Sequence, residues 1–150
     1  MSERDVRMGE VLPLMLEALA RGQNVRFSPR GTSMLPMLRQ GVDSVTLSPV
    51  TGKLRKYDLP FYRRKDGSFV LHRIVAAGEC YTCMGDNQFQ PEPGLTQEQM
   101  IAVVTAFSRN GTEYSVRHPL YWLYCRLWHA SRPMRHLWRW GLARVRRSFG

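Results

Sequence analysis

Between Asn24 and Val116 the chain is a succession of short β-prone runs closed by turn residues, and this punctuation limits its fold more than any other feature. The runs are Val25 to Ser28, Val45 to Leu47, Phe61 to Arg64, Phe69 to Val75, Glu79 to Met84, Ile101 to Phe107 and Glu113 to Val116. Asp66-Gly67 and Asn110-Gly111 each stand between two runs and read as hairpin turns. Nothing here alternates strand with helix as a parallel α/β sheet requires, so the expectation is a mostly β, α+β fold built from antiparallel hairpins. Residues 5 to 21 carry Val11, Leu12, Met15, Leu16 and Leu19 at helical spacing, with Gly22 as a stop and Pro13 weakening the first turn. Helical periodicity returns after Pro119 and is interrupted at Ser131-Arg132-Pro133. The chain therefore divides into an N-terminal helix (1–23), a β domain (24–116) and a helical extension (117–150).

Charge follows the same division. Of 22 Lys+Arg and 12 Asp+Glu, residues 1–116 hold 14 basic and all 12 acidic residues, whereas residues 117–150 hold 8 Arg and no acid. The body is nearly neutral and the extension is +8, so a uniformly basic nucleic-acid-binding globule is not the first reading. All four Trp (Trp122, Trp128, Trp138 and Trp140) also lie in the extension. At about 100° per residue, Met134, Leu137, Trp138, Leu142, Val145 and Phe149 share a face, with Arg135, Arg139 and Arg146 beside it, while Arg144 and Trp140 break the pattern. Four uses remain open: a helical hairpin packed on the body, docking on an anionic membrane surface, capture of an acidic partner, and nucleic-acid binding, which no recognised motif supports.

No run of about 18 uncharged apolar residues occurs, and the apolar stretch from Val11 to Leu16 follows acids rather than a cationic start. The expected location is cytoplasmic, or peripheral to the inner face of the membrane. Cys80 and Cys83 read C-x-x-C, but there is no second ligand pair, and in a strand the two point to opposite faces; no metal and no cofactor is expected. With Cys125 the cysteines form an odd set, which does not suggest a disulfide framework.

Three segments carry possible chemistry. In Gly31-Thr32-Ser33-Met34-Leu35-Pro36 the serine reads either as the cap of a short Pro-initiated helix or as a nucleophile with backbone N–H groups beside it. In Phe69 to Val75 the alternation puts Val70, His72 and Ile74 on one strand face; His72 reads as a core histidine or as a general base kept neutral by apolar walls. Gly85-Asp86-Asn87 reads as a turn, or as the source of a carboxylate that orients the imidazole, with Glu92 a short way on.

Together these segments resemble the signal peptidase and LexA-type serine peptidase superfamily. Its nucleophile box is similar to Gly31-x-Ser33-Met34-x-Pro36, and Asp43-Ser44-Val45 and Tyr57-Asp58-Leu59-Pro60-Phe61-Tyr62 resemble its two Gly-Asp strand entries. The segment His72-Arg73-Ile74-Val75 resembles the general-base strand, and Gly85-Asp86-Asn87 the later acidic box. The resemblance covers roughly residues 24 to 107. It implies a LexA/signal-peptidase-like coiled antiparallel β fold and a serine peptidase of the Ser-His branch. Ser33 is then the nucleophile, His72 the base and Asp86 the expected orienting acid, with Glu92 as a further acid; which of the two faces His72 is left open by the sequence. Gly31, Thr32, Ser33 and Met34 are the implied oxyanion and substrate-binding residues.

The chain departs from the family at three points. Gly31 stands where a small hydroxyl residue is usual, Val42 is inserted between Gly41 and Asp43, and no N-terminal membrane anchor is evident. The last departure suggests removal of leader peptides in the cytoplasm rather than processing of exported proteins. The family's preference for small residues before the cut implies an Ala- or Gly-rich cleavage site; Ala76-Ala77-Gly78 matches one within the chain, although a turn explains it more simply. Residues 1–23 are too short for a LexA-type DNA-binding domain. The alternative function is a non-catalytic peptide-binding module whose basic extension docks on a membrane or a protein partner.

Overall fold

The computed structural model describes residues 3 to 148, with side chains from residue 10 onward; Phe149, expected on the apolar face of the last helix, lies outside them. The chain forms α1 (Glu3–Ala20), then β1 (Val25–Phe27), β2 (Ser44–Pro49), β3 (Pro60–Arg63), β4 (Phe69–Leu71), β5 (Arg73–Ala77), β6 (Tyr81–Met84) and β7 (Glu92–Leu95). A single 3-10 turn at Gln97–Gln99 leads into β8 (Met100–Arg109), β9 (Thr112–Ser115), α2 (Pro119–Ala130) and α3 (Arg132–Ser148). The result is an α+β fold whose strand pairs are all antiparallel.

The strands form two sheets. One has the order β1-β2-β8-β3-β4, with β9 also on β8; the other is β5-β6-β7. The ten-residue β8 is the axis of the first sheet: β2 runs along one edge, while β3 and then β9 share the other. Register shifts at Thr46/Leu47 and Phe61/Tyr62 mark bulges against β8, which sharpen local twist and curl the sheet. Met100, Ala102 and Val104 alternate inward along β8, the period-2 pattern of a strand with one covered face.

Two expectations are revised. Phe69 to Val75 is not one strand: β4 pairs with β3 and β5 pairs with β6, so the chain changes sheet at His72. Backbone bonds between Ile74 and residues 57–58 hold the start of the new strand (Tyr57 N to Ile74 O 2.8 Å, Ile74 N to Asp58 O 2.9 Å). The period-2 face assignment fails at this joint, where Leu71, His72, Arg73 and Ile74 are all buried. β7 was not expected, because Pro93 and Gly94 disfavour a strand; it pairs with β6 through an irregular register.

The main core joins α1 (Met15, Leu19), the Ser33 loop (Met34, Met37, Leu38), the curled sheet and α2 (Tyr121, Cys125). Tyr62, Ile74, Tyr81, Cys83, Leu95 and Met100 form a second cluster over the smaller sheet. The first helix of the Arg- and Trp-rich extension thus packs into the body, whereas α3 has no buried residue. No helix among the described residues is long and apolar enough to cross a membrane.

The deepest polar feature is the Arg73–Asp86 ion pair, bidentate at 2.7 and 2.9 Å with both side chains almost fully buried. Removing one member of such a pair strands the other charge in a low-dielectric interior. Asp86→Ala is expected to destabilise the fold by about 3–5 kcal/mol, read as a lowered urea midpoint. A loss below about 1 kcal/mol, the range of an exposed ion pair, would contradict this account of the pair.

Candidate functional site

The loop carrying Ser33 is built before any chemistry is considered. Gly31 has φ +83°, a left-handed conformation that favours glycine, and its N–H donates to Gln40 Oε1 at 2.8 Å. Residues 33–37 form successive turns, closed by Leu35 N to Thr32 O and Leu38 N to Met34 O, in place of the expected short helix. Arg39 and the buried Asp43 clamp the loop's far end through a bidentate ion pair and the Arg39 N–H, while Arg109 Nη1 donates to Pro36 O at 2.9 Å. The inserted Val42 is exposed and leaves the Asp43 clamp intact.

Gly85-Asp86-Asn87 supports this loop from the other side. Asn87 N donates to Ser33 O at 2.8 Å, and Asn87 Nδ2 to Thr32 O at 3.1 Å. A Cβ on Gly85 would lie 2.6 Å from Ser33 O, so only glycine permits the approach.

The structure brings Ser33 and His72 to one cavity of about 270 Å³, whose other walls include Phe27, Met34, Phe61, Phe69 and Leu71. Among the described residues no hydrogen bond joins the two side chains; nucleophile and base often tighten to bonding distance only around a substrate. His72 also faces a second, larger cavity lined by Arg64, Cys83, Glu92, His136 and Arg139. The imidazole therefore forms part of the partition between an apolar pocket and a polar one.

Asp86 is not brought to the imidazole. Its oxygens accept from Arg73 and from the Tyr124 hydroxyl (2.8 Å), and its carbonyl accepts from Trp128 Nε1 (2.8 Å). The expected orienting contact is absent because this carboxylate neutralises a buried guanidinium. Glu92 comes nearer by way of Tyr62: the Tyr62 hydroxyl donates to Glu92 Oε2 at 2.8 Å, and its oxygen lies 3.5 Å from His72 Nδ1, the outer edge of bonding reach. Arg64 holds the same carboxylate through two 2.9 Å bonds.

This chain of groups has one consistent protonation pattern. Hydrogen bonds from Arg64 keep Glu92 below the ordinary carboxylate range against the opposing effect of burial, and Tyr62 adds to the lowering. Burial, reinforced by the bond to Glu92, raises the Tyr62 phenol far above its ordinary value, so its proton stays on oxygen. That proton is committed to a carboxylate, which can only accept, so any hydrogen bond between the phenol and the ring has Nδ1–H as its donor. In that tautomer Nε2 keeps its lone pair free. Burial first, and Arg64 second, depress His72 from 6.5 to about 4, so the imidazole is neutral at pH 7.

Tyr62 and Arg64 were missed as site residues. Tyr62 stood inside a strand motif that looked structural, and its relation to Glu92 spans 30 positions with no local signal. Of the cysteines, Cys80 is exposed and Cys83 is buried, with burial raising the Cys83 thiol to about 12. Comparison of the chain with protein-family models, curated proteins and solved structures finds no match.

Two outcomes follow. Between pH 6.5 and pH 4 the unfolded chain takes up a proton that native His72 refuses, so stability falls on acidification across that window, by up to about 3 kcal/mol. His72→Gln should lose this part of the slope in urea unfolding at pH 7 against pH 4.5; parallel slopes would refute the depressed value. Tyr62→Phe removes the acceptor for Nδ1–H, and imidazole nitrogen NMR should then show a mixture of tautomers where the native chain shows one. An unchanged single tautomer would show that Tyr62 does not orient the ring.

Proposed function

We propose that this chain is a serine peptidase of the signal-peptidase-like superfamily, in its Ser-His form, and that its curled antiparallel sheet is the LexA/signal-peptidase-like fold. The observation that carries the reading is the shared cavity of Ser33 and His72, reached from two separate loops of the fold. The chain from buried Tyr62 to half-buried Glu92 and Arg64 behind the imidazole gives further support.

In this reading His72 Nε2 takes the Ser33 hydroxyl proton as Oγ forms a bond to the substrate carbonyl carbon. The carbonyl π electrons move to oxygen, where the Ser33 backbone N–H and the Thr32 hydroxyl stabilise the oxyanion. On collapse the C–N bond breaks, and the imidazolium gives its proton to the departing amine. Water then repeats the sequence on the acyl ester, releasing the acid and restoring Ser33. Tyr62 and Glu92 act through His72 as positioning residues, the place expected of Asp86 from the sequence. Asp86 instead secures the loop that holds Ser33.

The cavity's small volume and mostly apolar walls, with Arg30 as the one charged side chain lining it besides the imidazole, suit a short apolar side chain beside the scissile bond, and Met34 lines it. Removal of a leader peptide with a small residue before the cut is a substrate reading consistent with that pocket.

A serine-reactive phosphonate, located by mass spectrometry, tests the proposal. Ser33 should be labelled in the native chain, and labelling should fall by about 10³-fold or more in His72→Ala, as expected when a triad base is removed. An inert Ser33 in a folded chain would favour a binding module without catalysis.

A further inference from the structure

We propose that α3 lies in the plane of an anionic phospholipid surface, with its outer face in the headgroup–acyl boundary. This inference is independent of the peptidase reading and starts from the way α3 is held. Arg135 donates from Nε to Ser131 Oγ at 3.0 Å and from Nη2 to Trp128 O at 2.6 Å, with its guanidinium 3.7 Å from the centroid of the Trp128 ring. His136 and Arg139 both lie against Phe89, at 5.0 and 5.4 Å. These contacts fix the roll of the helix and turn one face toward the body.

The surface turned from these contacts carries an apolar stripe among exposed arginines. Met134, Leu137, Trp138, Leu142 and Val145 are exposed, Met134 by 74% and Trp138 by 71%. At about 100° per residue they fall within an arc of about 140°, bordered by Arg144 on one side and Arg146 on the other. An apolar stripe with an arginine on each flank matches an interface in which acyl chains lie below and phosphates lie on both sides. Arginine suits the phosphates because its planar fork can donate two bonds to one phosphate.

The occupant follows from charge complementarity. Residues 117–150 carry eight Arg and no acid, so a second copy of this chain would bring two +8 segments together. Nucleic acid would satisfy the arginines but leave Leu137, Leu142 and Val145 without an apolar partner. An anionic bilayer satisfies both sides of the helix. No described helix is long and apolar enough to span it, which agrees with a helix lying in the interface.

The test is flotation of the full chain with vesicles of phosphatidylcholine and phosphatidylglycerol in a two-to-one ratio, against vesicles of phosphatidylcholine alone, at low salt. The native chain should float with the anionic vesicles, and bind the neutral ones at least about tenfold more weakly, since several arginines near the surface contribute. Leu137→Glu/Val145→Glu places acids on an exposed face away from both cores, and should reduce binding to the anionic vesicles by about tenfold or more. Near-ultraviolet circular dichroism of that variant should match the native chain. Failure of the folded native chain to float would overturn the proposal in favour of an acidic protein partner. Equal flotation by the double variant would also overturn it, showing attraction by charge without insertion of this face.

Discussion

Arg73 is the group on which the rest of the molecule depends. A guanidinium almost wholly out of water must be neutralised and its donors occupied, because an uncompensated interior charge costs several kcal/mol. Asp86 supplies the charge, while the Tyr57 carbonyl, the Tyr121 hydroxyl, Cys125 Sγ and Met37 Sδ take the remaining N–H directions. Those partners come from the β2–β3 connection, from α2 and from the Ser33 loop. One side chain thereby joins the smaller sheet to the core of the larger one and makes α2 part of the body.

The same interaction determines the neighbourhood of the imidazole. His72 immediately precedes Arg73 at the point where the chain passes from β4 to β5, so anchoring one residue limits where the next can turn. Asp86, held by Arg73 and Tyr124, keeps Gly85 and Asn87 against Ser33 O and Thr32 O. Two acids thus divide the work. Asp86 sets the position of the serine loop, while Glu92, joined to Arg64 and Tyr62, stands on the Nδ1 side of the imidazole. The division is economical electrostatically, since each carboxylate has its own guanidinium and neither adds a net charge beside His72.

Local patterns made much of the fold legible. Alternation and turn pairs gave the hairpins at Asp66-Gly67 and Asn110-Gly111, and helical spacing gave α1, α2 and α3, with the break near Ser131. What escaped were features decided by distant partners. The run from Phe69 to Val75 has uniform β propensity, so nothing in it announces a change of sheet at His72; pairing with β3 and β6 decides that. Glu92-Pro93-Gly94-Leu95 has poor strand propensity and pairs only because β6 offers an edge. At the site, Ser33 and His72 could be selected by residue type and by resemblance, but the partner of each acid could not. Asp86 and Glu92 are both near His72 in sequence order, and only the burial of Arg73 and the reach of Tyr62 separate their parts.

The extension shows why total charge was a poor guide to its use. Arg135 and Arg139 spend their cationic faces on Trp128 and Phe89, and Arg126 stacks 3.5 Å from the centroid of the Trp122 ring, so part of the +8 is engaged with aromatic rings of the protein itself. The distribution that remains is directional, with an exposed apolar face on α3 whose Met134 and Trp138 edge borders a groove shared with Phe89 and Trp128. The inward face of the same helix supplies His136 and Arg139 to the polar cavity that His72 also lines. A helix with side chains is only about 10–12 Å across, so whatever covers the outer face of α3 lies within one helix diameter of that cavity wall. Any displacement of α3 must then move His136 and Arg139, and the cavity beside the imidazole changes shape and charge with it. The outer face of α3 and the cavity beside the imidazole are therefore physically coupled through one helix.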